Sequence, residues 1–176
     1  VLFYDTETKL PLGNATAAKN MKEVLNNADI VSLHVPETPE TKLLINKNAI
    51  KQMKPGAILI NYARGEVVDL KALATAIEEK QISGAAIDVF PWEPEKNGDH
   101  FESPMQGLKN VLLTPHIGGS TEEAQQNIGE DVSIKLSTPG PAPGAHTTWY
   151  SRPGNPACKP VVPISTTVAV GIRVLA

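Results

Sequence analysis

Only one cysteine, Cys158, stands in the 176 residues, which excludes an internal disulfide framework and fits a reducing compartment. No apolar run approaches the roughly 20 residues that a membrane helix needs. An excess of basic charge is missing too. Lys and Arg number 16 against 19 Asp and Glu, for a formal net charge of −3, so no basic field is available to hold nucleic acid. No leader-like segment opens the sequence, and Val1–Asp5 reads directly as a strand. The expectation is a cytoplasmic chain whose partners are neither nucleic acid nor membrane. Apolar residues at 41% and charged residues at 20% are ordinary for a globular protein. The length suits one domain.

Composition changes near residue 137. Before it, strand-like apolar runs at 1–5, 28–36, 57–64, 84–90 and 110–117 alternate with helical patterns. Residues 16–27 place Met21, Val24 and Leu25 on one helical face. A short helix over 46–53 ends at the Pro55-Gly56 turn. Asp69 caps a helix over 70–81, and Ser120 caps another over 121–136, with Glu123 closing a capping box. Strands that are apolar throughout predict a parallel sheet covered by helices on both faces, an α/β class. After 137, Pro139, Pro141, Pro143, Pro153, Pro156 and Pro160 crowd a short span. Residues 137–176 are read as a Pro-rich, disordered tail. Its β-prone end, 161–176, reads as an added edge strand or a loose end, with the run VAVGIRVLA (168–176) also able to fill the slot of a missing first strand. The predicted organisation is therefore 1–136 folded and 137–176 irregular.

In a parallel sheet of this kind, functional residues gather at the carboxyl ends of the strands. Those ends read Asp5, His34-Val35-Pro36, Tyr62-Ala63-Arg64, Asp88 and His116. An acid ending a strand can take ribose hydroxyls, although alone it reads first as a turn residue. Arg64, followed by the turn-permitting Gly65, can clamp a carboxylate through paired hydrogen bonds, or simply cap a strand at the surface. His116 can serve as a general acid or base, or as a hydrogen-bonded residue at a strand–helix junction. Glu93 lies between two prolines in a stiff loop, where a solvated acid is the plain alternative. What lifts the arginine, the glutamate and the histidine together is that each follows a separate strand on one predicted edge.

The segments NYARGEVVD (61–69), GAAIDVFPWEP (84–94) and NVLLTPHIGGSTEEAQ (110–125) resemble the signatures of the D-isomer-specific 2-hydroxyacid dehydrogenases. VSLHVPET (31–38) and LPLGNA (10–15) are most similar to the bacterial branch that oxidises D-3-phosphoglycerate in serine biosynthesis. The resemblance covers residues 1 to about 136 and stops at the tail. It implies a Rossmann-like, doubly wound sheet, NAD as cofactor, a small 2-hydroxyacid substrate and no metal. It also implies a homo-oligomer in the full-length form. By the same resemblance, Arg64 matches the residue that holds the substrate's carboxylate and carbonyl. His116 matches the acid/base, Glu93 the carboxylate that hydrogen-bonds it, and Asp5 the ribose-binding acid. Tyr62, Ala63 and Asp88 match positions lining the nicotinamide, Gly118 and Gly119 the loop beside it. His34, Val35 and Pro36 fall on the same cofactor-binding edge.

Departures from the family pattern are equally plain. The substrate domain, the first cofactor strand and its glycine-rich loop have no counterpart in this sequence, so the sheet is expected to lack its first strand. A shifted reading frame or a truncated gene would produce the tail. Two readings follow. One is a portion of an NAD-dependent oxidoreductase, inactive as an isolated chain. The other is a non-catalytic remnant or NAD-sensing interaction module.

Overall fold

The computed structural model describes residues 1–94, 99–137 and 168–173. Strands β1 (Leu2–Asp5), β2 (Thr16–Ala17), β3 (Ile30–Leu33), β4 (Ala57–Asn61), β5 (Ile82–Ile87), β6 (Val111–Leu113) and β7 (Val168–Arg173) form one sheet. Its order is β2-β1-β7-β3-β4-β5-β6, and every pairing is parallel. Parallel neighbours place all the carboxyl ends on one edge, as predicted. Contacts divide the chain into two units, residues 1–116 with 166–176, and residues 117–165.

Helices α1 (Met21–Asn27), α2 (Lys47–Gln52) and α3 (Leu70–Glu78) belong to the first unit. Each starts at a polar residue that accepts from its first turn: Asn20, Asn46 and Asp69. The three pack side by side, α1 also against β1 and α3 against β5. Their apolar residues meet the buried face of the sheet, where Val31, Leu33, Leu59 and Ile87 are at most 1% exposed. Burying a side chain of that size stabilises by about 1.5–3 kcal/mol. The opposite face is more open, with Ile58 37% and Leu112 56% exposed. Within this unit, and among the described residues, the cover expected on both faces from the apolar strands is realised on one. The connections over 6–15 and 88–110 contain no helix among the described residues, so they contribute no second layer.

Three further readings change. Thr16-Ala17 leave the predicted helix because they pair with Leu2 and Phe3 as a short strand. In the second unit, α4 (Glu122–Ser137) is capped by Thr121, whose hydroxyl accepts from the Ala124 N–H at 3.1 Å, one residue later than Ser120. Most consequentially, β7 lies between β1 and β3. The gap expected in the sheet is filled, and this part of the tail is a central strand, neither disordered nor an edge. Its pairing skips Gly171 against β3, where Val170 and Ile172 align with Ser32 and Leu33, and it also gains one residue against β1, where Ala169 and Ile172 align with Leu2 and Tyr4. Glycine is the usual residue at such an irregularity. The expectation for 138–167 and 174–176 lies outside the described residues.

Among the described residues no helix is long and apolar enough to cross a membrane, and no cluster of His, Cys, Asp and Glu is placed to hold a metal.

Candidate functional site

The loops that leave β1, β3 and β4 enclose a cleft of about 710 Å³, lined among others by Asp5, His34, Val35, Pro36, Tyr62, Ala63 and Arg64. Space of this size suits a small-molecule or cofactor site. Asp5 closes β1, and its Oδ1 accepts the Glu7 N–H at 3.0 Å, which fixes the carboxylate at the strand end. Behind β3, the buried Thr41 donates its hydroxyl to the Pro36 carbonyl at 2.7 Å and accepts from the Thr38 N–H at 2.9 Å. His34 is exposed and its Nε2 lies 2.9 Å from the Ser32 hydroxyl.

Arg64 is presented from below and from both sides. Asn61, at 0% exposure, accepts the Ala63 N–H at 3.1 Å and donates to the Arg64 carbonyl at 2.9 Å. A 3-10 turn over Gly65–Val67 follows. Segment 43–45 is tied to this turn by backbone bonds from Leu43 to Glu66 and from Ile45 to Val67. Lys42 reinforces the join through a 2.7 Å ion pair with Glu66, whose hydrogen bond and charge raise the lysine's pKa. Gly65 was expected to supply a special backbone conformation. Its φ is not in the left-handed region, and its role is close approach instead. A Cβ there would lie 2.0 Å from the carbonyl carbon of Phe90. Gly65→Ala must push the Arg64 turn away from the loop after β5, and overpacking of this kind costs about 1–3 kcal/mol. Thermal unfolding followed by circular dichroism should show a fall in Tm of about 5 °C; an unchanged Tm would contradict the contact.

The loop after β5 carries the second cluster. Glu93 folds back so that Oε1 accepts the Phe90 N–H at 2.9 Å. Its two carboxylate oxygens lie 2.9 and 3.1 Å from Nδ1 of His116. With the proton on Nδ1, the carboxylate orients the ring and leaves Nε2 as an acceptor. His116 sits at φ +53°, a left-handed conformation that costs a side-chain-bearing residue about 1–2 kcal/mol. Its N–H donates to Oδ1 of Asp88 at 3.1 Å, and Thr114 Oγ1 donates to the same oxygen at 2.5 Å. Asp88 is joined back to β4, since its N–H donates to the Asn61 carbonyl at 3.1 Å. Strain at a residue so firmly held is a usual mark of a functional position.

The residues read from sequence thus fall into two groups. Asp5, His34, Val35, Pro36, Tyr62, Ala63 and Arg64 share the cleft, while Asp88, Glu93 and His116 form one hydrogen-bonded set. The Asn61–Asp88 bond and the Gly65–Phe90 contact connect the groups. Gly118 and Gly119 fall in the second unit, on the turn before α4, where an added Cβ would meet nothing within 4 Å. Three positioning residues escape a sequence reading: Asn61, Thr41 and Thr114. Asn61 alone leaves a sign, as the one polar residue inside the apolar run AILIN.

Comparison with known proteins agrees with this layout. The profile of the D-isomer specific 2-hydroxyacid dehydrogenase, NAD binding domain, matches residues 1–118. Over 136 residues the chain is 58% identical to D-3-phosphoglycerate dehydrogenase of Escherichia coli K12, covering 77% of this chain and 33% of that protein. Over 145 residues it is 46% identical to D-3-phosphoglycerate dehydrogenase 1 of Saccharomyces cerevisiae, covering 78% and 31%. It therefore spans about a third of the length of these relatives. Among solved structures, D-lactate dehydrogenase with NAD+ from Lactobacillus jensenii superposes with a TM-score of 0.65 at 33% identity, over 76% of this chain and 43% of that one. The carboxylate that ends β1 and the cleft beside it fit the ribose end of such a cofactor. The chain belongs to the D-isomer specific 2-hydroxyacid dehydrogenases, and residues 1–118 correspond to their NAD-binding domain.

Proposed function

We propose that these residues form the cofactor-binding portion of an NAD-dependent dehydrogenase that oxidises D-3-phosphoglycerate at its hydroxyl-bearing carbon. The observation that carries the reading is the Glu93–His116 pair, a histidine oriented through Nδ1 and strained into place at the carboxyl edge of the sheet. The similarity to relatives named D-3-phosphoglycerate dehydrogenase supports the choice of substrate. When bound, NAD supplies the hydride acceptor. His116 takes the hydroxyl proton at Nε2, and Glu93 steadies the imidazolium so formed. Arg64 binds the carboxylate of the hydroxyacid through paired N–H donors and orients the reacting carbon. Asp5 accepts from the adenosine ribose hydroxyls, with Val35 and Pro36 walling the cleft beside it.

The test is a chimera in which the 136 matched residues replace their counterparts in the Escherichia coli relative. It should oxidise D-3-phosphoglycerate with NAD, and Arg64→Ala should raise KM for the hydroxyacid by about 10²-fold, the loss of a charge-assisted bidentate contact. A chimera that folds, binds NADH and turns over no D-3-phosphoglycerate would refute the reading. In the same chimera Asp5 disfavours a 2′-phosphate by charge. Asp5→Ser should therefore narrow the preference for NAD over NADP by about tenfold, or 1.4 kcal/mol. Equal kcat/KM for both cofactors before any substitution would exclude that role for Asp5.

A further inference from the structure

Two buried polar side chains stand out among the described residues, Thr41 and Asn61, and each holds a loop that lines the cleft. Asn61 is the more telling. It ends β4 at 0% exposure, where an unpaired amide would be costly, and it spends both ends of that amide on the next three residues. Its Oδ1 holds the Ala63 N–H, and its Nδ2 holds the Arg64 carbonyl, which also accepts from Val67 at 3.4 Å. Arg64 itself is exposed, with extended backbone, between the buried Ala63 and the buried Gly65. A long, flexible side chain on an exposed arginine can present a fixed fork only if its root is fixed. Here the root is gripped on both sides by one buried amide. Nη1 of Arg64 also donates to the Ala63 carbonyl at 2.7 Å, so the fork rests on the same dipeptide that Asn61 holds.

We propose that Asn61 is a positioning residue for carboxylate binding, acting through the Ala63–Arg64 backbone and touching neither substrate nor cofactor. The inference rests on the reading of Arg64 given above.

The experiment uses the chimera with Asn61→Ala, Asn61→Asp and Arg64→Ala. Asn61→Ala should raise KM for D-3-phosphoglycerate about tenfold, with NADH affinity within twofold of the parent, and should speed amide exchange at Ala63 by at least about tenfold. Asn61→Asp keeps an acceptor for Ala63 but loses the donor to Arg64. It should raise KM while leaving Ala63 exchange near the parental rate. A merely structural role would lower stability without this split between KM and NADH binding. Either variant, if it unfolds cooperatively and keeps KM within twofold of the parent while Arg64→Ala raises it, overturns the inference alone. If Arg64→Ala leaves KM unchanged, the reading of Arg64 fails instead, and the inference with it. Should neither Asn61 variant fold, the parent decides. An Ala63 amide there that exchanges as fast as an unstructured one overturns the proposal, and a protected one supports it.

Discussion

Replacing His116 by alanine in the chimera should lower kcat by about 10²- to 10⁴-fold, the usual worth of a positioned general base, while NADH affinity stays within twofold. The split follows from the geometry. Nδ1 is committed to Glu93, so Nε2 alone is left to act on a substrate proton. The backbone of His116 is held by Asp88 whatever side chain it carries, so removing the ring leaves the strand end in place. Alanine at φ +53° is less at ease than histidine, and a modest loss of stability should accompany the loss of turnover. Glu93→Gln should cost less than the loss of the ring. The amide can still accept from Nδ1 through its oxygen, but its NH₂ can equally face the ring and leave it misoriented. Initial-rate kinetics beside NADH fluorescence titration measure both quantities. Near-parental turnover in His116→Ala would remove the acid/base assignment.

A polypeptide of these 176 residues alone should turn over D-3-phosphoglycerate at least about 10³-fold more slowly than the chimera. Two separate losses underlie the expectation. The described residues hold no glycine-rich turn leading into a helix N-terminus beside β1, where a pyrophosphate would find N–H donors and a favourable dipole. The cleft is also open, so Arg64 alone fixes the hydroxyacid at its carboxylate and water is not excluded as it is in a closed site. Effective molarities from orientation alone reach about 10⁵ M or more, which makes the second loss the larger. NAD reduction at a rate within tenfold of the chimera would show that the strand edge, Arg64, Glu93 and His116 suffice without the rest.

How much of this was legible depends on whether the cause is local. The runs that became β3, β4 and β5 announce themselves because a strand in a parallel sheet must be apolar along its length. Asp69 is legible because a cap bonds its own helix, here the Ala72 N–H at 3.0 Å. Ser120 and Thr121 are adjacent hydroxyls, and nothing in their order shows which one turns its oxygen inward. Thr16-Ala17 became a strand through the backbone of Leu2 and Phe3, a partner their own side chains do not specify. The candidate site divides the same way. Residue types at the strand ends could be read off one by one, whereas the reason for Gly65 lies at Phe90 and the use of Asn61 depends on its burial. The left-handed backbone of His116 left no local sign either, and the carboxylate that accepts its N–H, Asp88, follows another strand, β5.

The placement of β7 has its own consequence for how the chain is made. β1 and β3 do not pair with each other; each pairs with β7, so among the described residues the β2–β1 ribbon and the β3–β6 sheet share strand hydrogen bonds through β7 alone. Leu2 waits for Ala169, from nearly the opposite end of the sequence. Synthesis runs from the N-terminus, so both halves emerge from the ribosome well before the segment that bridges them, and long-range parallel pairing is slow even after release. Between the synthesis of β3 and that of β7 the nascent chain therefore carries two strand edges without their partner, on β1 and on β3, and each is open to pairing with another nascent chain.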